Sequence, residues 1–204
     1  MTNTRLRYSR IGIFGQSALL EDTNRLVAVK ELIWRWSCSS NIGEKSIQPS
    51  LNHPYILTSF HSQGWGTPHV QIFTDLMSGT ITQLVDFLPE PCMVLATHVL
   101  HQMLQALTYL ACHGYVHCDV KPDNILYTHR NHQDQNDPKF NNSPYRFKLS
   151  NFGLCTHESS SRTVRGTILF LPPPESTRVE LGEGSVNEPQ THKGDVWALY
   201  VSVL

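Results

Sequence analysis

An α+β fold is what this sequence predicts, with strands gathered in its first third and helix in the remainder. Two observations carry that reading. The segments Arg25 to Leu32 and Val70 to Thr74 have the β-branched composition of strands. Between His98 and His113 the apolar residues Val99, Leu100, Met103, Leu104, Leu107 and Leu110 recur at intervals of three and four, as one face of an amphipathic helix requires. The composition, 40% hydrophobic and 16% charged over 204 residues, is that of a globular chain able to bury such a face.

The elements follow in order. Between the two strands, residues 41–51 read as a short helix that Pro49 must end or kink. The long helix stops at Gly114, a residue suited to a helix C-terminus. Ile125, Leu126 and Tyr127 form an apolar run, and residues 128–144 are too polar to bury and read as a solvated loop insertion. A further strand spans Tyr145 to Leu149.

Charge and segment composition narrow the function. A net charge of -1 supplies no basic field for nucleic acid or a membrane surface. The first seven residues lack the apolar core of a signal peptide, and no apolar run approaches a membrane span. Five cysteines without a regular framework fit reduced thiols, so an intracellular setting, cytoplasmic or nuclear, is expected.

The residues with the most chemistry lie in His117-Cys-Asp-Val-Lys-Pro-Asp-Asn124, directly after the long helix. Three polar residues after a helix also occur in ordinary turns, so the spacing of Asp119, Lys121 and Asn124 gains weight only from its surroundings. Those surroundings are ordered. Val27-Ala-Val-Lys30 precedes a Glu44-bearing segment that runs to Pro54; Phe73-Thr-Asp-Leu-Met77 follows. Beyond the loop come Leu149-Ser-Asn-Phe-Gly-Leu154, Arg165-Gly-Thr167, Pro173-Pro-Glu175 and Asp195-Val-Trp-Ala-Leu199.

In this order the segments resemble the protein kinase family, of serine/threonine type because Lys121 stands two residues after Asp119. The resemblance implies a single domain over residues 1–204: a small strand-rich lobe with its hinge over about 8–77 and an incomplete, mainly helical lobe over about 78–204. It implies ATP and magnesium as cofactors and a protein substrate or partner. Asp119 would accept or orient the hydroxyl proton, Lys121 would neutralise the transferred phosphoryl group, and Asn124 with Asn151 would hold the metal. Gly12, Gly15, Ala28, Lys30, Glu44, Thr74, Asp75, Met77 and Leu126 would form the nucleotide site, with Glu44 pairing Lys30.

Several departures from the family pattern set further expectations. Asn151 replaces the acidic magnesium ligand, which predicts weak or lost phosphoryl transfer and a weakly held metal. Arg10 and Ser17 erode the phosphate loop. Gln48 and Pro49 leave the Lys30 to Glu44 pair poorly supported, and Cys118 removes an Arg that would dock a phosphate on Ser159, Ser160, Ser161 or Thr163. The chain ends within the expected helix at residues 195–204, which leaves Val196, Trp197, Leu199, Val201, Val203 and Leu204 short of cover. Two other readings follow: a pseudokinase that binds nucleotide or a partner, and a truncated gene product. Cys112, His113, His117 and Cys118 could suggest zinc, but their spacing is unlike the common zinc patterns and packing roles are expected.

Overall fold

The β-branched segment forms strand β3 (Arg25–Ile33), and its alternation sets the architecture of the first third. Val27 and Val29 are buried and pack with Phe73. Ala28 and Lys30 therefore point to the opposite face, the period of two being that of a strand. The computed structural model of the chain describes residues 6–9, 16–20, 25–33, 43–88, 93–129, 143–160, 165–173 and 190–204. Within them β3 is the centre of a five-stranded antiparallel sheet, ordered β1 (Leu6–Ser9), β2 (Gln16–Leu20), β3, β5 (His69–Asp75), β4 (Ser59–Gln63). Ala28 pairs with Thr74 and Lys30 with Ile72, so the Ala28, Lys30 and Thr74 side chains share one face.

The helix expected at 41–51 is two short turns, a π-turn at Gly43–Ile47 and a 3-10 turn at Gln48–Ser50. Pro49 lies in the first turn of the second, where its missing N–H goes unused, so it does not disrupt what precedes it. Gln48 is buried, and its amide donates to the Leu57 carbonyl at 3.1 Å, which satisfies the polar side chain inside the core.

After β5 the chain enters β6 (Gly79–Thr80) and helix α1 (Ile81–Asp86), whose start is fixed by a capping box between Thr80 and Gln83. The long helix α2 spans Met93–Cys112, beginning ahead of the expected His98. Leu95, Val99, Met103, Ala106, Leu107 and Leu110 form its buried face, but Leu104, expected there, is 42% exposed. A helical step swings it about 100° from Met103. Gly114, at φ 72, ends the helix as expected.

Strands β8 (Ile125–His129) and β9 (Tyr145–Leu149) pair in a three-stranded sheet with β6. A two-stranded ladder joins β7 (Tyr115–Val116) to β10 (Thr156–His157). Helix α3 (His192–Val203) packs on α2 through Ala198 and Leu199. Leu199, expected to lack cover, is fully buried, whereas Val196, Trp197 and Leu204 are exposed. One core runs from Ile47, Leu51, Tyr55 and Ile56 through α2 to α3. Among the described residues no helix is long and apolar enough to cross a membrane.

Candidate functional site

The loop after β7 is held from below by a buried carboxylate. Asp195, in the first turn of α3, accepts the backbone N–H groups of His117 at 2.7 Å and Cys118 at 2.9 Å. Burial pushes its carboxyl up to about 7, against the two N–H groups that favour the charged form. The Cys118 backbone turns at φ 67, and its buried thiol bonds the Val116 carbonyl. The His117 ring is wholly buried beside Phe152, and burial lowers its pKa to about 4, so the imidazole is neutral. Nε2 then donates to the Ser150 carbonyl at 3.0 Å, and Nδ1 accepts the Asp119 N–H at 3.3 Å.

This scaffold presents Asp119, which is 8% exposed. Its Oδ1 accepts the Thr167 hydroxyl at 2.8 Å; its Oδ2 accepts Asn124 Nδ2 at 2.8 Å and lies 3.1 Å from Lys121 Nζ. Lys121 also donates to Thr167 Oγ1 at 2.8 Å. Asn124 Nδ2 further bonds the Asp119 carbonyl at 2.7 Å. A fixed carboxylate flanked by an ammonium group is an arrangement that can take a hydroxyl proton and offset negative charge beside it.

A second set approaches from the five-stranded sheet. Lys30 Nζ forms an ion pair with Glu44 Oε1 and donates to Asn151 Oδ1 at 2.9 Å. Asn151 Nδ2 donates in turn to Asn124 Oδ1 at 3.1 Å. Glu44 is 2% exposed and buries its second oxygen without a hydrogen-bond partner among the described residues. The pair expected to be poorly supported is thus formed, because the turn carrying Glu44 lies directly on the Phe152–Leu154 turn. Gly43 makes that approach possible: a Cβ there would sit 2.0 Å from the Phe152 carbonyl oxygen and 2.7 Å from that of Cys155.

The residues expected to contact the nucleotide base lie on β3, β5 and β8 and in the segment after β5. Thr74 is buried and donates to the Asp75 carbonyl at 3.3 Å. Just past Met77, the Ser78 N–H bonds the Tyr127 carbonyl, which lays the chain beside Leu126. Lys148, opposite Leu126 on β9, pairs with the Asp75 carboxylate at 2.9 Å.

Of the expected site residues, Lys30, Glu44, Asn151, Asn124, Asp119 and Lys121 form one connected network, and Ala28, Thr74, Asp75, Met77 and Leu126 stand along β3, β5, the segment after β5 and β8. Gly12, Gly15, Arg10, Ser161, Thr163 and Glu175 lie outside the described residues, as does most of the polar insertion. Sequence reasoning missed the roles of Thr167, Lys148, Asp195 and Gly43. For Lys148 a signal existed: with Arg146 it is one of two cations in an alternating strand, on the face opposite Phe147 and Leu149. His113 Nδ1 lies against the Tyr109 carbonyl, and His117 is engaged as above. Among the described residues no group of three His, Cys, Asp or Glu stands together.

The sequence model of the protein kinase domain matches residues 11–204. Aurora kinase of Saccharomyces cerevisiae (strain ATCC 204508 / S288c) is 31% identical over 165 residues, covering 78% of this chain and 38% of its own length. Serine/threonine-protein kinase PAK 4 of Homo sapiens is 26% identical over 193 residues, covering 92% of this chain and 29% of its own. Among solved structures, the yeast RNA Pol II CTD kinase CTDK-1 complex superposes with a TM-score of 0.72 at 22% identity, covering 98% of this chain and 62% of that one. That likeness shows the fold. The chain spans less than half the length of the curated relatives it matches.

Proposed function

We propose, since this chain belongs to the protein kinase family, that it binds ATP in the cleft between β3 and β8 and transfers its γ-phosphoryl group to protein Ser or Thr only weakly or not at all. The observation that carries the reading is the network from Glu44 through Lys30, Asn151 and Asn124 to Asp119, in which every position but one has the residue that transfer needs. The exception is Asn151, whose neutral amide removes a negative charge from beside the phosphates.

In this reading residues 8–77 and 78–204 act as the two lobes of one domain, working inside the cell where ATP is available. Lys30 contacts the phosphates, while Ala28, Thr74, Leu126 and the backbone of Asp75 to Met77 take the adenine. Asp119 receives the substrate hydroxyl proton, with Thr167 and Lys121 fixing its carboxylate. A pseudokinase acting through a partner is the second reading. Asn151 favours it, as does Cys118, which leaves no guanidinium from this motif to dock a phosphorylated loop.

Calorimetric titration with ATP tests the proposal. We expect weak, saturable binding that Lys30→Ala abolishes while the fold, read by circular dichroism, persists. No heat of binding to the unmodified chain at millimolar ATP would remove the nucleotide site from this account.

A further inference from the structure

The family implies magnesium, and the oxygens of Asn124 and Asn151 assigned to hold it, with those of the neighbouring Asp119 carboxylate, can be tested one by one. Asn151 Oδ1 accepts from Lys30, and Asn124 Oδ1 accepts from Asn151 Nδ2. Asp119 Oδ1 accepts from Thr167, and its Oδ2 is shared by Asn124 and Lys121. Each is already the partner of an N–H or O–H group of the protein. Magnesium is a hard ion that takes near-octahedral oxygen ligands, at least one of them usually a carboxylate. Asp119 is the carboxylate bonded to Asn124, and it is held by three donors; the network's other carboxylate, Glu44, is ion-paired with Lys30. The residues present do not fit the metal.

The same bonds show what occupies its place. A divalent cation would draw the oxygens of positions 124 and 151 together. Here the Asn151 NH2 group makes that link itself, donating to Asn124 Oδ1 while its own oxygen is held by Lys30. Asn151 sits at φ 65, a left-handed conformation that Asn tolerates better than most side chains, and its two hydrogen bonds orient the amide. Charge agrees with geometry: Lys30, Lys121 and Lys148 are each paired with a carboxylate, Glu44, Asp119 and Asp75 respectively, which leaves these six side chains formally neutral without a metal.

We propose that the Asn151 side-chain amide stands in for the divalent cation, so that the pocket takes its nucleotide as the metal-free phosphate anion. The inference rests on the nucleotide-binding reading above. Magnesium then competes for ATP in solution instead of bridging it to the protein. The Asn151→Asp substitution replaces the donating NH2 with a second oxygen, which faces Asn124 Oδ1 with two acceptors and no proton between them, and so restores the demand for a cation.

The test is a thermal melt and calorimetric titration of the full chain with ATP in EDTA, with ATP and magnesium, and with magnesium alone. For the unmodified protein we expect an ATP affinity in EDTA equal to or greater than that with magnesium, and no shift from magnesium alone. For Asn151→Asp we expect magnesium to raise ATP affinity by on the order of tenfold or more, the size of effect seen when groups that support a metal ligand are altered. A shift of the unmodified protein that requires magnesium would overturn the inference and leave the nucleotide reading standing. No shift under any condition would remove both. Should Asn151→Asp fold and respond to magnesium as the unmodified chain does, the role assigned to the amide is wrong. The EDTA comparison on the unmodified protein needs no variant.

Discussion

His117 and Asn151 show how single residues set the chemistry here. The neutral His117 ring can donate to Ser150 and accept from Asp119 at the same time, and protonation would destroy the second bond. Its pKa is lowered from 6.5 to about 4 by burial. A depressed histidine contributes stability that is present above the unfolded pKa and lost as pH falls towards the folded one. Relative to His117→Asn, the protein should therefore lose about 3 kcal/mol between pH 6.5 and pH 4, at about 1.4 kcal/mol per pKa unit. Urea melts of both proteins across that window check it, and parallel pH profiles would contradict it. At this scale Asp119, Lys121 and Asn124 were legible, because they lie within one loop and their spacing survives in the sequence. Thr167 and Lys148 act through partners 48 and 73 residues away, and no local pattern encodes such a meeting.

Among the elements, the turn carrying Glu44 departs furthest from its sequence signal. Pro49 and Gln48 argued against a supported ion pair, yet Pro49 falls where a proline is tolerated, and Gln48 finds the Leu57 carbonyl. What brings Glu44 to Lys30 is the contact with the Phe152–Leu154 turn, made over Gly43. An added methyl at Gly43 meets backbone oxygens that cannot swing aside, so Gly43→Ala should cost about 1–3 kcal/mol, in the range of overpacked cores. Gly194 in α3 is the contrast, since among the described residues its Cβ would meet nothing closer than Pro172 Cγ at 3.9 Å. There alanine should be neutral or stabilise by up to about 1 kcal/mol through helix propensity. Denaturant midpoints of the two variants decide; equal effects would show that the close approach does not govern this element. Helix α2 was legible because its apolar period is long. Gln102 on its buried face was the clue left unread: it bonds both the Tyr145 carbonyl and the Phe147 N–H, fixing β9.

At the scale of the whole molecule, the five-stranded sheet delivers Lys30, the loop after β7 delivers Asp119 and Asn124, and the segment after β9 delivers Asn151. The α+β class and the order of these segments were readable because strand alternation and helix periodicity are local. The closeness of Lys30 to Asn151, 121 residues apart, was readable only through family resemblance. The network passes through Asn151, the one of its members that departs from the family pattern, so that position should limit the rate. Losing about 4 kcal/mol of transition-state stabilisation there corresponds to a rate lower by on the order of 10³-fold. The most direct measurement is phosphoryl transfer from labelled ATP to a degenerate Ser/Thr peptide pool, compared between the unmodified chain and Asn151→Asp at saturating ATP and magnesium. The account predicts transfer near background for the first and a gain of on the order of 10³-fold for the second. Turnover by the unmodified chain at the roughly 1–100 per second usual for kinases would contradict it.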